Sequence, residues 1–444
     1  KKITHRLIAL WAVLTLLAAA VPLSLASEPA WDGTTTQAVA PDADGVYAVS
    51  TPSQLAWLAG QINQAGGQTA FNVILTADID LNNQPWTPIG GYDYGNDYVG
   101  RFDGQGHKIT GLYIHSAAPR QGLFGSVGEA GTVCNLTVEG AVSSSSPFVG
   151  GVVGWNKGTI SRCVNRASVS GTAPKAGNAS KVGGIAGQNS NDILNCRNSG
   201  RVTALKQTGG ITGYQTDGRV AGCVNDGDVT VGHVTDNTNV GGIVGQLDKG
   251  GLYNCVNAGA VVSNSQQAYG NFYVGGIIGQ CSGSKAKTAF NNLNTGAVSY
   301  TNPITENNPN GCNNFGYLYA HTPASLTAAD SYYLSDEPSE APQAMTAQQM
   351  KAPGFVSLLN QNDGSSYGAP VKPVEDDMRY AAVPGGYPLP SWVLESEEPL
   401  AVPVTAVSIT GTAQAGETLT AIAVGENGEA ATQPSYQWQA SQDG

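Results

Sequence analysis

One six-residue phrase recurs through the middle of the chain, and its spacing limits the fold more than any other feature. It reads VGGVVG at Val149–Gly154, VGGIAG at Val182–Gly187, TGGITG at Thr208–Gly213, VGGIVG at Val240–Gly245 and VGGIIG at Val274–Gly279. The start-to-start intervals are 33, 26, 32 and 34 residues. A weaker copy, Gly122-Leu123-Phe124-Gly125, precedes the set, and FGYLYA at 315–320 is a decayed last one. Each full copy is followed by a second phrase: CVNRASV (163–169), CRNSGRV (196–202), CVNDGDV (223–229), CVNAGAV (255–261) and NLNTGAV (292–298). Self-similarity at a period of about 30 residues marks a solenoid or propeller, whose units cannot bury a core singly.

Each repeat holds three short runs, as in Gly242–Gly245, Gly251–Cys255 and Ala260–Ser263, separated by Asn, Gly, Asp and Ser. Short β-branched or aliphatic runs between such residues are strands between turns. Helical repeats need longer runs with 3.6-residue periodicity, and a chain with 58 glycines offers none in this region. Propeller blades need four strands in about 40 residues or more, which is too long. The fold class is therefore all-β, a right-handed parallel β-helix with one triangular coil per repeat and coils about 4.8 Å apart.

Stacking predicts which residues share a column. Val152, Ile185, Ile211, Ile243 and Ile277 form one inward ladder, and Val169, Val202, Val229, Val261 and Val298 another. The paired glycines are expected to bend the backbone and supply positive φ at corners. Asn165, Asn198, Asn225, Asn257 and Asn294 form a corner column that bonds the backbone of the adjacent coil and tolerates the left-handed conformation. Cys163, Cys196, Cys223 and Cys255 share a column with Leu136 and Asn292. That column draws a line, whereas metal ligands converge on a point, and no C-x-x-C occurs. Free, packed thiols are the favoured expectation over disulfides between neighbouring coils.

Outside the repeats, residues 1–26 combine Lys1, Lys2 and Arg6 with an apolar run from Leu7 to Ala20 and a Ser24-Leu25-Ala26 cleavage signal. This is the pattern of a secretory signal peptide. No later apolar stretch has the length of a bilayer span. Residues 27–43 are assigned to a linker, and 44–121 to a helical cap and opening coils. The cap helix is STPSQLAWLAGQIN (50–63), with Thr51 as N-cap, Gln54 completing a capping box and Leu55, Leu58, Ala59 and Ile62 as its apolar stripe. The repeats occupy 122–330. A second capped segment, TAQQMKAPGFVSLLNQN (346–362), places a lid over the far end within 331–393. An acidic linker at 394–403 leads to 404–444, where period-2 alternation and Trp438 are similar to the first half of a bacterial Ig-like β-sandwich.

The stretch from about 44 to 393 resembles the GLUG-repeat surface proteins of Firmicutes, named for the glycine–aliphatic–apolar–glycine motif seen at Gly122–Gly125 and in the GIVG-type copies. WTPIG (86–90), FDGQGHKITGL (102–112) and NLTVEGAV (135–142) match the opening of such proteins. The resemblance implies an adhesin-like surface protein. Some secreted metallopeptidases carry the same motif beside a separate H-E-x-x-H domain, and this sequence has no H-E-x-x-H pattern.

A net charge of −12 excludes nucleic acid and anionic membrane surfaces as expected partners. Polysaccharide lyases and glycosidases on β-helices need stacked carboxylates, or acids with a base. The columns around Asp226 and Asp228 hold no such ladder. The densest candidate lies at 93–107. The ligand-binding candidates are Trp86, Tyr92, Asp93, Tyr94, Asp97, Arg101, Asp103, His107 and Trp155, with the aromatics as exposed stacking platforms for a sugar. No catalytic residue, metal ligand or cofactor is assigned. The sequence thus points to a non-catalytic, secreted or surface-attached module that binds an extracellular glycan or a surface protein. A glycan-cleaving enzyme working through 93–107 is the alternative.

Overall fold

In the computed structural model, residues 30–65, 70–91, 95–172, 180–232, 238–264, 272–300, 314–336, 341, 343–361, 375–396, 404–410 and 420–425 are described. Residues 1–26, expected as a leader, lie outside them. Of the C-terminal segment, an antiparallel strand pair, Val404–Thr410 with Thr420–Gly425, is described, and Trp438 is not.

The repeats fold as three parallel sheets, the first recurring phrase contributing to two of them. Val149–Gly150, Lys181–Gly183, Gln207–Gly209, Thr238–Gly241, Phe272–Gly275 and Asn314–Gly316 stack as a six-stranded first face. Phe124–Val127, Val153–Asn156, Ala186–Asn189, Thr212–Gln215, Val244–Leu247 and Ile278–Cys281 form a six-stranded second face. The third face is a broad sheet to which one rung gives Asp192–Leu194, Arg197–Asn198 and Val202–Ala204. Every pairing along the rod is parallel, so the chain is a parallel β-helix.

Both aliphatic ladders form. Val169, Val202, Val229, Val261 and Val298 are register partners in succession. Val152, Ile185, Ile211, Ile243 and Ile277 are fully buried, each N–H donating to the carbonyl of the next. The cysteine column is buried among them, and Cys134, Cys163, Cys196, Cys223, Cys255 and Cys281 are all free thiols. Burial pushes the Cys196 and Cys255 thiols up, so they pack as protonated, apolar groups.

The asparagine column forms, with a geometry of its own. Each amide donates to the next along the rod, Asn165 to Asn198 at 2.7 Å, and Asn198 to Asn225, Asn225 to Asn257 and Asn257 to Asn294 at 2.8 Å. The second N–H of each donates to the carbonyl two residues on, at Ala167, Gly200, Gly227, Gly259 and Gly296. The column thus bonds amide to amide, not amide to neighbouring backbone, and it is inside the rod. The left-handed backbone lies three residues earlier, at Arg162, Asn195, Gly222, Asn254 and Asn291, with φ between 50° and 62°.

The glycine pairs likewise serve a purpose other than the predicted one, since none of the ten has positive φ. Their use is close approach. A Cβ on Gly210 would lie 2.1 Å from the Gly242 carbonyl oxygen and 2.3 Å from Asn225 Cγ, and one on Gly242 would lie 2.1 Å from the Gly276 oxygen and 2.3 Å from Asn257 Cγ. The two recurring phrases are therefore halves of one device, in which the glycine of the first makes room for the asparagine of the second.

Rung length is nearly constant where the walls are continuous. Val182 to Val202 is 20 residues, and both Thr208 to Val229 and Val240 to Val261 are 21. The return from third face to first face is not constant. Val202 to Thr208 takes 6 residues, Val261 to Val274 takes 13, and Val298 to Phe315 takes 17. The irregular intervals in the sequence arise mainly at this corner, and a second insertion, between Cys281 and Lys287, lengthens the last rung from Val274 to Val298 to 24 residues.

At the N-terminal end, helix α1 (Pro52–Gln64) buries Leu55, Leu58, Ala59 and Ile62 in the core of the first coils. Thr51 caps it by accepting from Gln54 N–H at 3.3 Å, while the Gln54 side chain reaches past the N-cap to Ser50 N–H at 2.9 Å. Residues 30–43, expected as a linker, are tied down. Trp31 is buried edge-on against Trp86, and its indole N–H donates to Thr35 O.

The second capped segment departs most from expectation. Helices α2 (Ala347–Met350), with a full Thr346/Gln349 capping box, α3 (Pro353–Leu359) and α4 (Ser391–Ser396) do not close an end. They and residues 376–390 lie as a strap along the flank, on the left-handed column. Asp377 pairs with Arg162 at 2.6 Å and accepts from Asn195 at 2.8 Å. Trp392 Nε1 donates to Gly222 O at 2.6 Å, Asn254 to Met378 O at 2.9 Å, and Tyr380 OH to Asn291 O at 2.6 Å. Beneath it Met350, Phe355, Leu359, Trp392 and Val393 cover Val224, Val256 and Leu293. Those three are register partners, and their side chains face outward from the third face.

Candidate functional site

The acidic stretch proposed from the sequence is consecutive in the chain but is not one site. Arg101–Asp103 is a strand of the third face paired on one side with Asn72–Leu75 and on the other with Thr132–Ser144. Phe102 points into the core and is fully buried, so Arg101 and Asp103 share the outer side. Asp103 is engaged on every side, by Arg101 Nη2 at 2.7 Å, Gln105 N–H at 2.9 Å and Asn135 Nδ2 at 2.9 Å. Burial opposes its ionisation, but the Asn135 amide, the Gln105 N–H and the Arg101 guanidinium outweigh burial and hold the carboxyl below its usual range.

Asp97 stands apart, in an ion pair with Lys157 at 2.5 Å. His107 turns to another partner, Asp78 Oδ1 at 3.1 Å, which also accepts from Lys108 N–H. Among the described residues no hydrogen bond or ion pair joins Asp97, Asp103 and His107 to one another. Tyr92, Asp93 and Tyr94 lie outside the described residues. Each described carboxylate here has its own positive partner or donors, an arrangement that fixes turns and binds coils together. Among the described residues no three His, Cys, Asp or Glu side chains gather as a metal would require.

This environment predicts the effect of removing Asp103. A depressed carboxyl contributes stability that is present above the unfolded-state pKa and is lost as pH falls through the folded value. Asp103→Asn is expected to lower unfolding free energy by about 1–3 kcal/mol at pH 7, with the gap to wild type closing in acid below the usual carboxylate range. Urea denaturation in both conditions measures it, and an unchanged midpoint at pH 7 refutes it.

Of the aromatic candidates, Trp86 and Trp155 are described, and neither is an open platform. Trp86 is 7% exposed, and its Nε1 donates to Leu123 O at 3.2 Å. With Trp31 it lines a cleft of about 390 Å³ between α1 and the first coils, with Thr34, Asn63, Gln64 and Thr87 also on its wall. Trp31 lies in the stretch expected as a linker, where no repeat or motif marks it. Trp155 is stacked on Phe148 at 5.6 Å and 16°, with Arg120 and Lys157 at 4.7 and 4.8 Å from its ring centre. Its Nε1 donates to Ser190 Oγ at 3.0 Å. Its ring contacts are made within the protein, so it serves the wall of the second face.

Trp155 belongs to an outward column, Ser126, Trp155, Gln188, Tyr214, Gln246 and Gln280, set by register. Across the glycine-lined bend it meets residues of the first face, as Lys181 Nζ meets Gln188 Oε1 at 3.2 Å and Asn239 Nδ2 meets Gln246 Oε1 at 2.9 Å. These amides spend their hydrogen bonds on each other.

Comparison with known proteins agrees with the rungs. The GLUG motif model matches residues 178–203, which span one complete pair of recurring phrases. A protein of Evansella cellulosilytica, provisionally named a Gly-rich membrane protein, is 37% identical over 97 residues, or 21% of this chain and 11% of that protein. Halomucin of Haloquadratum walsbyi is 29% identical over 159 residues, or 34% of this chain and 2% of that protein. The chain therefore spans only a small part of either relative. A Bacteroides ovatus crystal structure, provisionally described as an immunoglobulin A1 protease, aligns with a TM-score of 0.49 at 17% identity, over 80% of this chain and 95% of that one.

Proposed function

We propose that this chain, built on the GLUG motif, works outside the cell as a stiff rod that binds a glycan or protein ligand and spaces it from the surface to which it is attached. The observation that supports this most is the asparagine ladder. Buried amides joined coil to coil rigidify a long interior and perform no chemistry. The leader-like first 26 residues and the surface-type names of both relatives favour the outside of the cell. Among the described residues no helix is long and apolar enough to cross a membrane. The engaged state of Asp97, Asp103 and His107 favours binding over catalysis, because a general acid or base needs a proton it can exchange with substrate.

The test is paired. The purified chain is applied to glycan and surface-protein arrays and, separately, incubated with plant and mucin polysaccharides. Binding without release of reducing ends or unsaturated sugars is expected. Product release that disappears in Asp103→Ala overturns the reading in favour of an enzyme, and absence of any binding reduces the rod to a spacer.

A further inference from the structure

The far end of the rod carries an aromatic arrangement unlike its walls. Phe315, the decayed equivalent of Val274 in the repeat, ends the first face, and Tyr317 follows it two residues on. Tyr317 lies parallel to Tyr333 at 4.8 Å and 12°, and Phe315 meets it edge-on at 5.2 Å. Despite both neighbours it is 48% exposed, the largest exposure among the exposed large hydrophobic side chains of the described residues. Desolvating a tyrosine ring is favourable, so one held firm from behind and open in front is a surface poised to lose water to a partner.

Two clefts open beside this ring and share it. One, of about 270 Å³, runs from Tyr317 past Tyr333 to Asp330 and Gln343. The other, of about 470 Å³, runs from Tyr317 to Thr295 and Asp336. Neither is lined by a lysine, arginine or histidine among the described residues. Both acids are exposed.

We propose that Tyr317 is the central platform of a two-subsite groove for a neutral polysaccharide, one sugar stacking on the ring and its neighbours lying in the flanking clefts. The chemistry selects this occupant. A pyranose presents apolar C–H groups on one face, which suit the tyrosine ring, and hydroxyls around its edge, which suit carboxylates and amides that accept and donate without a cation. An acidic polysaccharide would meet Asp336 in a chain of net charge −12, and no lysine, arginine or histidine stands among the described lining residues to offset that repulsion. Two clefts that share one ring suit a polymer or short oligomer better than a monosaccharide. This rests on the binding role proposed above and adds the ligand class and the residue.

Affinity electrophoresis of the full chain in gels containing xylan, galactomannan, a mixed-linkage β-glucan or, as an acidic control, polygalacturonate tests it. Retardation by at least one neutral polymer is expected, with little or none by polygalacturonate. Tyr317→Ala should weaken that retardation about tenfold, Tyr317→Trp should retain it, and Tyr113→Ala, at an exposed ring elsewhere on the rod, should leave it unchanged. Unaltered thermal unfolding of Tyr317→Ala shows that the loss is local. Retardation that survives Tyr317→Ala overturns the groove while leaving a glycan-binding rod in place. No retardation by any neutral polymer overturns the groove also, and the arrays then decide whether the rod binds anything. Preference for polygalacturonate overturns the ligand class. Size-exclusion chromatography showing a dimer that Tyr317→Ala dissolves, with no retardation, reassigns the ring to contact with a second copy.

Discussion

Replacing Asn225 by leucine is expected to cost about 3–5 kcal/mol of unfolding free energy, a large share of the stability of any domain. Asn225 sits mid-ladder with no exposed surface. The substitution removes its donations to Asn257 Oδ1 and Gly227 O and the acceptor used by Asn198. Leucine fills similar space but leaves those buried partners short of hydrogen bonds, and each such loss costs about 1–3 kcal/mol. Asn225→Asp separates shape from bonding. Burial opposes the carboxylate, so the variant's deficit should grow as pH rises from 4 to 7. Urea denaturation by circular dichroism reads both. A loss below 1 kcal/mol for the leucine variant would mean that the ladder is incidental to the rod's strength.

Trp392→Ala is expected to be comparably damaging, at about 3–5 kcal/mol, and to change how the molecule unfolds. The indole is 1% exposed, packs between the strap and the third face and donates to Gly222 O. A solenoid alone is coupled only between neighbouring coils and comes apart unit by unit. The strap contacts the rungs of Arg162, Asn195, Gly222, Asn254 and Asn291 together, so it joins rungs that have no direct contact. Wild type should therefore lose tryptophan fluorescence and far-UV ellipticity in one transition, and Trp392→Ala in two. Coincident transitions in the variant would show that the coils need no strap to act together.

The parts of this architecture that repeat were legible in the sequence, because each rung offers a given letter the same surroundings. The valine, isoleucine, cysteine and asparagine columns follow from alignment alone. What repetition does not reveal is which way a column faces. In the run Asn254-Cys255-Val256-Asn257, one asparagine adopts positive φ at a corner and the other is buried in the ladder. The letters are identical and the surroundings are not. Val256 looks like another inward valine, yet it faces outward and is sealed by a strap more than ninety residues away in sequence. The glycine pairs were legible as necessary, while the reason was not. A positive φ and a carbonyl at van der Waals limit impose the same residue.

The candidate site was less legible for a related reason. Asp97, Arg101, Asp103 and His107 are close in sequence, but only Arg101 and Asp103 meet, while the chain turns Asp97 to Lys157 and His107 to Asp78. Trp86 looked available until Trp31, from a stretch with no repeat to place it, covered it. Tyr317 lies where the repeat has decayed, so no column marked it.

The return corner has a consequence for how such a chain can change over generations. Between Val202 and Thr208 the passage is the shortest of the series, and between Val298 and Phe315 it is nearly three times as long, yet the flanking strands keep their partners. Closing a loop twice as long costs only about 0.6 kcal/mol, whereas one residue inserted in a wall would flip every side chain beyond it. Novelty can therefore accumulate chiefly along this seam while the walls are held in register. A peptide grafted between Ala204 and Gln207 should be carried there without disturbing the rungs on either side.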